Sequence, residues 1–395
     1  MKILLANKFY YRRGGDCVCT INTEELLKTH GHEVAIFAMQ HPETLPTKWS
    51  KYFPSEVKFK PGPGMLETFM RPFGTNEVKK KFTALLDDFC PDVVHLNNIH
   101  SQLSPIIAEL AHQRGIRVVW TLHDYKLLCP RYDCRKNGEV LCNKCYTYNK
   151  KGIIQHRCMK NSLLASYLAY WEAKKWNRDR LETCTNLFIC PSEFMRSKMI
   201  EGGYNSKKLV TICNFIDMNR CDCEESKREN YYCYVGRLSY EKGVKSLVEA
   251  AAKHAYKLKL IGDGPEREVL NTLVKELNAP VEFLGHLTWG EIKEVVSKAR
   301  FSILPSIVFE NNPLSVIEAQ CLGTPVLGAN IGGIPELISE NTGMTFESNN
   351  IVDLKTKIEI MFNQNFNYQK IAEQARLRYG ADIHYNKLMK IYQNK

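Results

Sequence analysis

Short apolar runs alternate with amphipathic stretches almost from one end of the chain to the other. In the first half the runs predict strands at 3–6, 34–37, 93–96, 117–121, 187–190 and 210–212. In the second half they predict strands at 232–235, 258–261, 281–284, 302–304, 325–327 and 344–346. Helical periodicity fills most of the intervals, as over 102–114, 266–277 and 313–321. Such alternation calls for parallel sheets with helices on their faces. Two stretches depart from it, a loop-rich one at 40–74 and a Cys-rich insertion at 126–160. The charged segment 219–230 reads as a linker, and 371–395 as one or two helices with no strand to follow. The expected architecture is two doubly wound α/β domains facing a cleft, 1–215 and 216–370, with ligands at the carboxyl ends of the strands. No internal repeat is visible.

A length of 395 residues agrees with two domains. The formal charge of +11 is dispersed and suits anionic substrates or an anionic membrane surface. No aromatic residues interleave with basic ones on successive strands, so nucleic acid is not an expected partner. The apolar run after Met1 is too short for a signal sequence, and no stretch approaches the ~18 apolar residues of a spanning helix. A cytoplasmic location follows as the expectation, and the 15 cysteines read as thiols or metal ligands.

The chemistry concentrates around Glu310 and Glu318, which flank Asn311-Asn312-Pro313. Asn312 suits an N-cap and Pro313 the first helical position. Glu310 then lies in a loop, Glu318 lies inside the helix, and the amides of Leu314 and Ser315 form an anion seat between them. A nucleotide-diphosphate sugar matches this pattern, with charge in the middle and hydroxyls at either end.

Gly236-Arg237 and Lys242-Gly243 bracket another strand-to-helix loop. Arg237 can grip a diphosphate through two hydrogen bonds while Lys242 adds a point charge; alone, the loop would read equally as a solvated basic turn. Gly262-Asp263-Gly264 either lets a nucleoside approach the backbone or is a plain tight turn. Gly14-Gly15, after Arg12-Arg13, offers the Gly15 amide at the first strand-to-helix loop. His123 ends a strand beside Asp124, as an active-site hydrogen-bonding group or a structural histidine. No strand is followed by an Asp-x-Asp pair, so metal-independent chemistry is expected, with cations and helix amides carrying that charge.

Cys129, Cys142, Cys145 and Cys158 could close a structural zinc site around the Cys-x-x-Cys knuckle, with Cys134 and His156 nearby; buried free thiols are the other reading. The aromatic, basic stretch 161–182 can lie on an anionic membrane surface or pack on the sheet with a solvated end.

Together these motifs resemble glycosyltransferase family 4, retaining sugar-nucleotide transferases of the GT-B fold, in particular members that build bacterial surface polysaccharides. The match also takes in Gly323-Thr324-Pro325-Val326 and Gly332-Gly333-Ile334-Pro335-Glu336. The resemblance implies that Arg237 and Lys242 bind the diphosphate, Glu318 the ribose and Glu310 the transferred sugar. It places the Gly15 amide near the phosphate and His123 near the sugar, and implies that 371–395 returns to the first domain. Asn311-Asn312-Pro313 depart from the family's usual Gly-Phe-Gly, which leaves the donor sugar open. The expected function is transfer of a hexose from a nucleotide-diphosphate sugar to a glycan or lipid-linked oligosaccharide acceptor, with peripheral contact at the inner membrane. The alternatives are a sugar-nucleotide epimerase or phosphorylase on the same fold, and a non-catalytic, metal-stabilised binding protein at the membrane.

Overall fold

The computed structural model describes residues 1–57, 65–138, 140–147, 149–217, 221 and 227–393. It divides into two compact units, Met1–Cys213 with Tyr385–Lys395, and Asn214–His384. Most of the linker expected at 219–230 lies outside the described residues.

The first unit holds strands β1 (Lys2–Ala6), β2 (Glu33–Phe37), β3 (Val93–Leu96) and β4 (Arg117–Thr121). A small hairpin, β5 (Arg135–Lys136) and β6 (Val140–Leu141), interrupts the series before β7 (Leu187–Cys190) and β8 (Leu209–Thr211). The six long strands are parallel in the order β2-β1-β3-β4-β7-β8. Helices cover both faces of such a sheet, so its strands read as continuous apolar runs. Ile3, Leu4 and Leu5 of β1 and Val118 and Val119 of β4 are accordingly fully buried.

The second unit repeats the plan with β9 (Tyr231–Val235), β10 (Lys257–Ile261), β11 (Val281–Gly285), β12 (Ser302–Leu304), β13 (Val326–Ala329) and β14 (Gly343–Phe346). Their order is β11-β10-β9-β12-β13-β14, again parallel. In each unit the winding reverses once, between β1 and β3 and between β9 and β12. Loops leaving neighbouring strands at such a point diverge and open a crevice, where ligands bind.

Three helices differ from expectation. The one expected over 102–114 is two, His100–Leu103 and Ile106–Gln113, because Pro105 cannot continue a helix and Ser104 turns left-handed at φ 68°. The helix expected from Glu266 begins at Arg267. The helix expected from Pro313 begins at Leu314, with Pro313 itself at the cap position, extended at ψ 122°.

The last helix, Ala381–Tyr392, contributes its residues from Tyr385 onward to the first unit. There Tyr385 stacks on His30 at 3.7 Å and its hydroxyl meets His32 Nε2 at 2.8 Å. Tyr392 lies 2.5 Å from His95 Nδ1, and His95 Nε2 is 2.7 Å from the Thr121 hydroxyl. Helix Tyr368–Tyr379, within the segment expected to return, belongs instead to the second unit, where Gly380 bridges Ile216.

Tyr392→Phe strands one buried nitrogen of His95, which should destabilise the first unit by about 1–3 kcal/mol. Tryptophan fluorescence in urea reports mainly on this unit, since Trp49, Trp120, Trp171 and Trp176 lie in it and only Trp289 lies in the other. An unchanged midpoint would mean that this hydroxyl contact carries no stability.

Candidate active site

In the second unit the loops that follow β9 and β12 border the point where the winding reverses. The β9 loop is pinned from beneath: Gly236 N–H donates to Ile261 O at 3.0 Å, and the Tyr234 hydroxyl donates to Arg237 O at 2.8 Å. A Cβ on Gly262 would stand 2.1 Å from Gly236 O, so close backbone packing accounts for this glycine. The two loops are joined where Ile307 N–H donates to Glu241 O at 3.1 Å.

This junction brings Lys242 onto Glu310, Nζ to Oε1 at 2.6 Å, and the Ser306 hydroxyl donates to the same oxygen at 2.7 Å. Burial works against the Glu310 charge, but Lys242 and the two hydrogen bonds outweigh it and hold the carboxyl below its ordinary value. Glu310 is also fixed through its backbone. Gly333 N–H donates to its carbonyl at 2.7 Å, and a Cβ on Gly332 would come within 2.4 Å of that oxygen. Arg237 extends from the β9 loop as an exposed guanidinium with no carboxylate partner among the described residues.

Asn312 does not cap the helix. Its Oδ1 accepts the Asn214 backbone N–H at 2.8 Å and its carbonyl accepts from Asn214 Nδ2 at 2.7 Å. The side chain is buried and committed to a residue 98 positions away, which leaves the cap to Pro313. The first-turn amides of Leu314 and Ser315 have no acceptor among the described residues, as the helix rule requires. Glu318 is half-buried inside this helix.

The first unit builds a second polar centre between β1 and β3. Gly15 opens the helix Gly15–Thr29, and Asp16 in its first turn pairs with Lys8 at 3.1 Å. Burial opposes the Asp16 charge, yet the Lys8 ammonium and its hydrogen bond hold the carboxyl below its ordinary value. His123 Nε2 meets Asn97 Oδ1 at 2.9 Å, which puts the ring proton on Nε2. Burial pushes the ring's pKa down, although Asp16 and Asp124 pull the other way, so the ring is neutral near pH 7. Asp124 faces His100 at 3.5 Å and accepts the Lys126 N–H at 2.9 Å; against its burial, these bring the carboxyl down to about 2.

Lys8, Asp16, Asn97, His100 and Ser306 were not singled out from sequence. Their one signal is position, each lying in the loop, or in the first turns of the helix, that follows a strand bordering a winding reversal.

The cysteines arrange differently from the zinc expectation. Among the described residues no group of three or more His, Cys, Asp or Glu could hold a metal ion. Cys129 hydrogen-bonds with Cys134, Cys145 and Cys158 join Ile153 and Ala169 in an apolar cluster, and Cys129, Cys142 and Cys158 all lie close enough to Cys145 to raise its pKa. Lys150 Nζ donates to Leu128 O at 2.7 Å and to Cys145 O beside this cluster.

Comparison with known proteins agrees with this geometry. The model for Glycosyl transferases group 1 matches residues 218–378, and the model for Glycosyltransferase Family 4 matches residues 14–220. An uncharacterized 42.6 kDa protein in the cps region of Klebsiella pneumoniae is 25% identical over 394 residues, covering 95% of this chain and 98% of that protein. An O-antigen biosynthesis glycosyltransferase of Escherichia coli is 28% identical over 199 residues, 49% of this chain and 56% of that one. The Anabaena protein HepE, crystallised with UDP, superposes with a TM-score of 0.73 at 18% identity, over 100% of both chains. On the family match, which spans 14–220, more than half of the chain, and is joined by the match over 218–378, the chain belongs to Glycosyltransferase Family 4 and is a glycosyltransferase.

Proposed function

We propose that the chain is a retaining hexosyltransferase that takes a sugar from a nucleotide-diphosphate donor and adds it to a glycan or lipid-linked oligosaccharide in surface-polysaccharide assembly, on the cytoplasmic face of the membrane. The observation that carries this reading is the Lys242–Glu310–Ser306 cluster at the β9/β12 reversal, with Arg237 exposed on the same loop. The printed names of its relatives support the polysaccharide context, and the Anabaena protein crystallised with UDP-glucose supports a uridine donor.

In this reading the diphosphate takes Lys242 and Arg237, and the amides of Leu314 and Ser315 accept its remaining charge. Glu310, released from Lys242, accepts hydroxyls of the transferred sugar, and Glu318 those of the ribose. The bond from the anomeric carbon to the β-phosphate oxygen breaks as the acceptor oxygen bonds to that carbon on the same face. The acceptor's proton passes to the departing phosphate oxygen, so neither glutamate has to act as a base. Arg237 and Lys242 stabilise the charge that grows on the diphosphate. Within the first unit, His123, neutral and oriented by Asn97, is left with Nδ1 as an acceptor for a hydroxyl, and the Gly15 amide is available to an anionic group.

Arg237→Ala and Lys242→Ala should each lower kcat/KM for the nucleotide sugar by about 30-fold or more, about 2 kcal/mol of lost charge stabilisation. Unchanged kinetics in both would remove the diphosphate site. Transfer should persist in excess EDTA, because fixed cations and amides supply the charge; a loss that magnesium restores would overturn this. Proton NMR of the product should find the donor's anomeric configuration kept, and an inverted product would contradict the same-face mechanism.

A further inference from the structure

The segments that follow β1, β3 and β4 bring ionisable side chains together around one imidazole, that of His123. Asp16 lies in the first turn of helix Gly15–Thr29, where a carboxylate suits the positive end of the helix dipole. It accepts the Cys17 N–H, and its Oδ2 is sealed from solvent with Lys8 Nζ 3.1 Å away. Lys8 is delivered there by its backbone, which donates to Asn98 O at 2.9 Å and accepts the Met39 N–H at 3.1 Å. Asp124 accepts the Lys126 N–H at 2.9 Å and lies 3.5 Å from His100 Nε2.

The His123 ring is faced by Asp16, Asp124, Lys8 and His100. Burial opposes a charge on the ring, the two carboxylates favour one, and Lys8 and His100 oppose it again. The charge matters because it sets the polarity of the hydrogen bond the ring can offer. With Nε2–H donating to Asn97 Oδ1 at 2.9 Å, a neutral ring keeps a lone pair at Nδ1. A protonated ring carries a proton on each nitrogen and can only donate. Asp16 is fixed by the helix it helps to open, so its pull on the ring is built in. Lys8 is the group placed to cancel it.

We infer that Lys8 is a positioning residue: by pairing with Asp16 it keeps the His123 ring uncharged and Nδ1 open to a substrate hydroxyl. Its action passes through Asp16 and the ring and requires no contact between Lys8 and substrate. That the hydroxyl belongs to a substrate rests on the transferase reading above, whereas the control of the ring's charge does not. The pair has a signature that a structural ion pair lacks. Without the lysine, the Asp16 carboxylate acts on the ring unopposed, and the ring takes up a proton at higher pH. Without the carboxylate, the lysine acts unopposed, and the ring stays neutral to lower pH. The two single variants therefore move the ring in opposite directions.

The test is proton–carbon NMR of the full chain with histidine labelled at Cε1, the His123 signal being assigned by its absence from the spectrum of His123→Asn. Lys8→Met should raise the ring's titration midpoint by about half a pH unit or more. Asp16→Asn should lower it, or carry it below the range in which the chain stays folded. Lys8→Arg should restore the wild-type midpoint, and Lys8→Met combined with Asp16→Asn should return close to it. In each form, the pH at which kcat/KM for the nucleotide sugar falls to half its alkaline plateau should move with the midpoint. Midpoints that shift the same way in both single variants, or in neither, would overturn the inference. If Lys8→Met does not fold, the downward shift in Asp16→Asn decides alone. Midpoints that separate while the kinetic limb stays fixed would instead sink the place of His123 in the transferase reading and leave the control of its charge standing.

Discussion

A carboxylate withdrawn from water has to be matched where it sits, and Glu310 is matched by Lys242. That pair depends on the winding of the second sheet, because Lys242 follows β9 and Glu310 follows β12, and only the reversal makes these strands neighbours. A buried ion pair is a poor source of stability, since the cost of desolvating two charges offsets much of their attraction. The charges are better explained by what they do when a ligand arrives.

The first unit solves a similar problem at its own reversal. Asp16 is matched by Lys8, and the imidazole beside it is left neutral by burial and oriented by Asn97. Both units thus place a carboxylate beside a lysine at the carboxyl ends of their central strands. The surrounding loops are fixed by backbone hydrogen bonds, such as Lys8 N–H to Asn98 O at 2.9 Å and Ile307 N–H to Glu241 O at 3.1 Å. Polar chemistry can gather there because the sheet's faces are sealed by helices, and only the strand ends open to solvent.

The twelve long strands were readable in the sequence, since a strand buried on both faces must be apolar throughout and the intervening helices carry their own period. Boundaries were lost where distant residues decide them. Asn312 has the chemistry of a cap, but Asn214 occupies its side chain, and nothing local to Asn312 announces that partner. Pro105 was a local signal outweighed by apolar periodicity on either side of it. Lys242 and Glu310 were legible because glycines and a proline punctuate their loops. Lys8, Asp16 and Asn97 were not, because their common position exists only once β1, β3 and β4 are side by side. The cysteine spacing suggested a metal, whereas the fold places Cys145 and Cys158 among apolar side chains.

The resting pair also bears on how binding energy is used in the proposed reaction. Lys242 and Glu310 satisfy each other, so in the proposed reaction an isolated diphosphate that took Lys242 would leave the partly buried Glu310 carboxylate with the Ser306 hydroxyl alone. A complete sugar nucleotide supplies hydroxyls for that carboxylate at the same moment as phosphate takes the lysine. In the proposed reaction this exchange would set the intact donor's hydroxyl contacts with Glu310 against the extra negative charge of the leaving diphosphate, which Lys242 attracts more strongly. As the sugar departs, charge grows on the phosphate facing Lys242, and the lysine's attraction for it strengthens when the reaction needs it. Once the sugar has left with the acceptor, Glu310 loses its hydroxyl partners and again competes for Lys242. In the proposed reaction the contact that joins these two loops would thus also help expel the product.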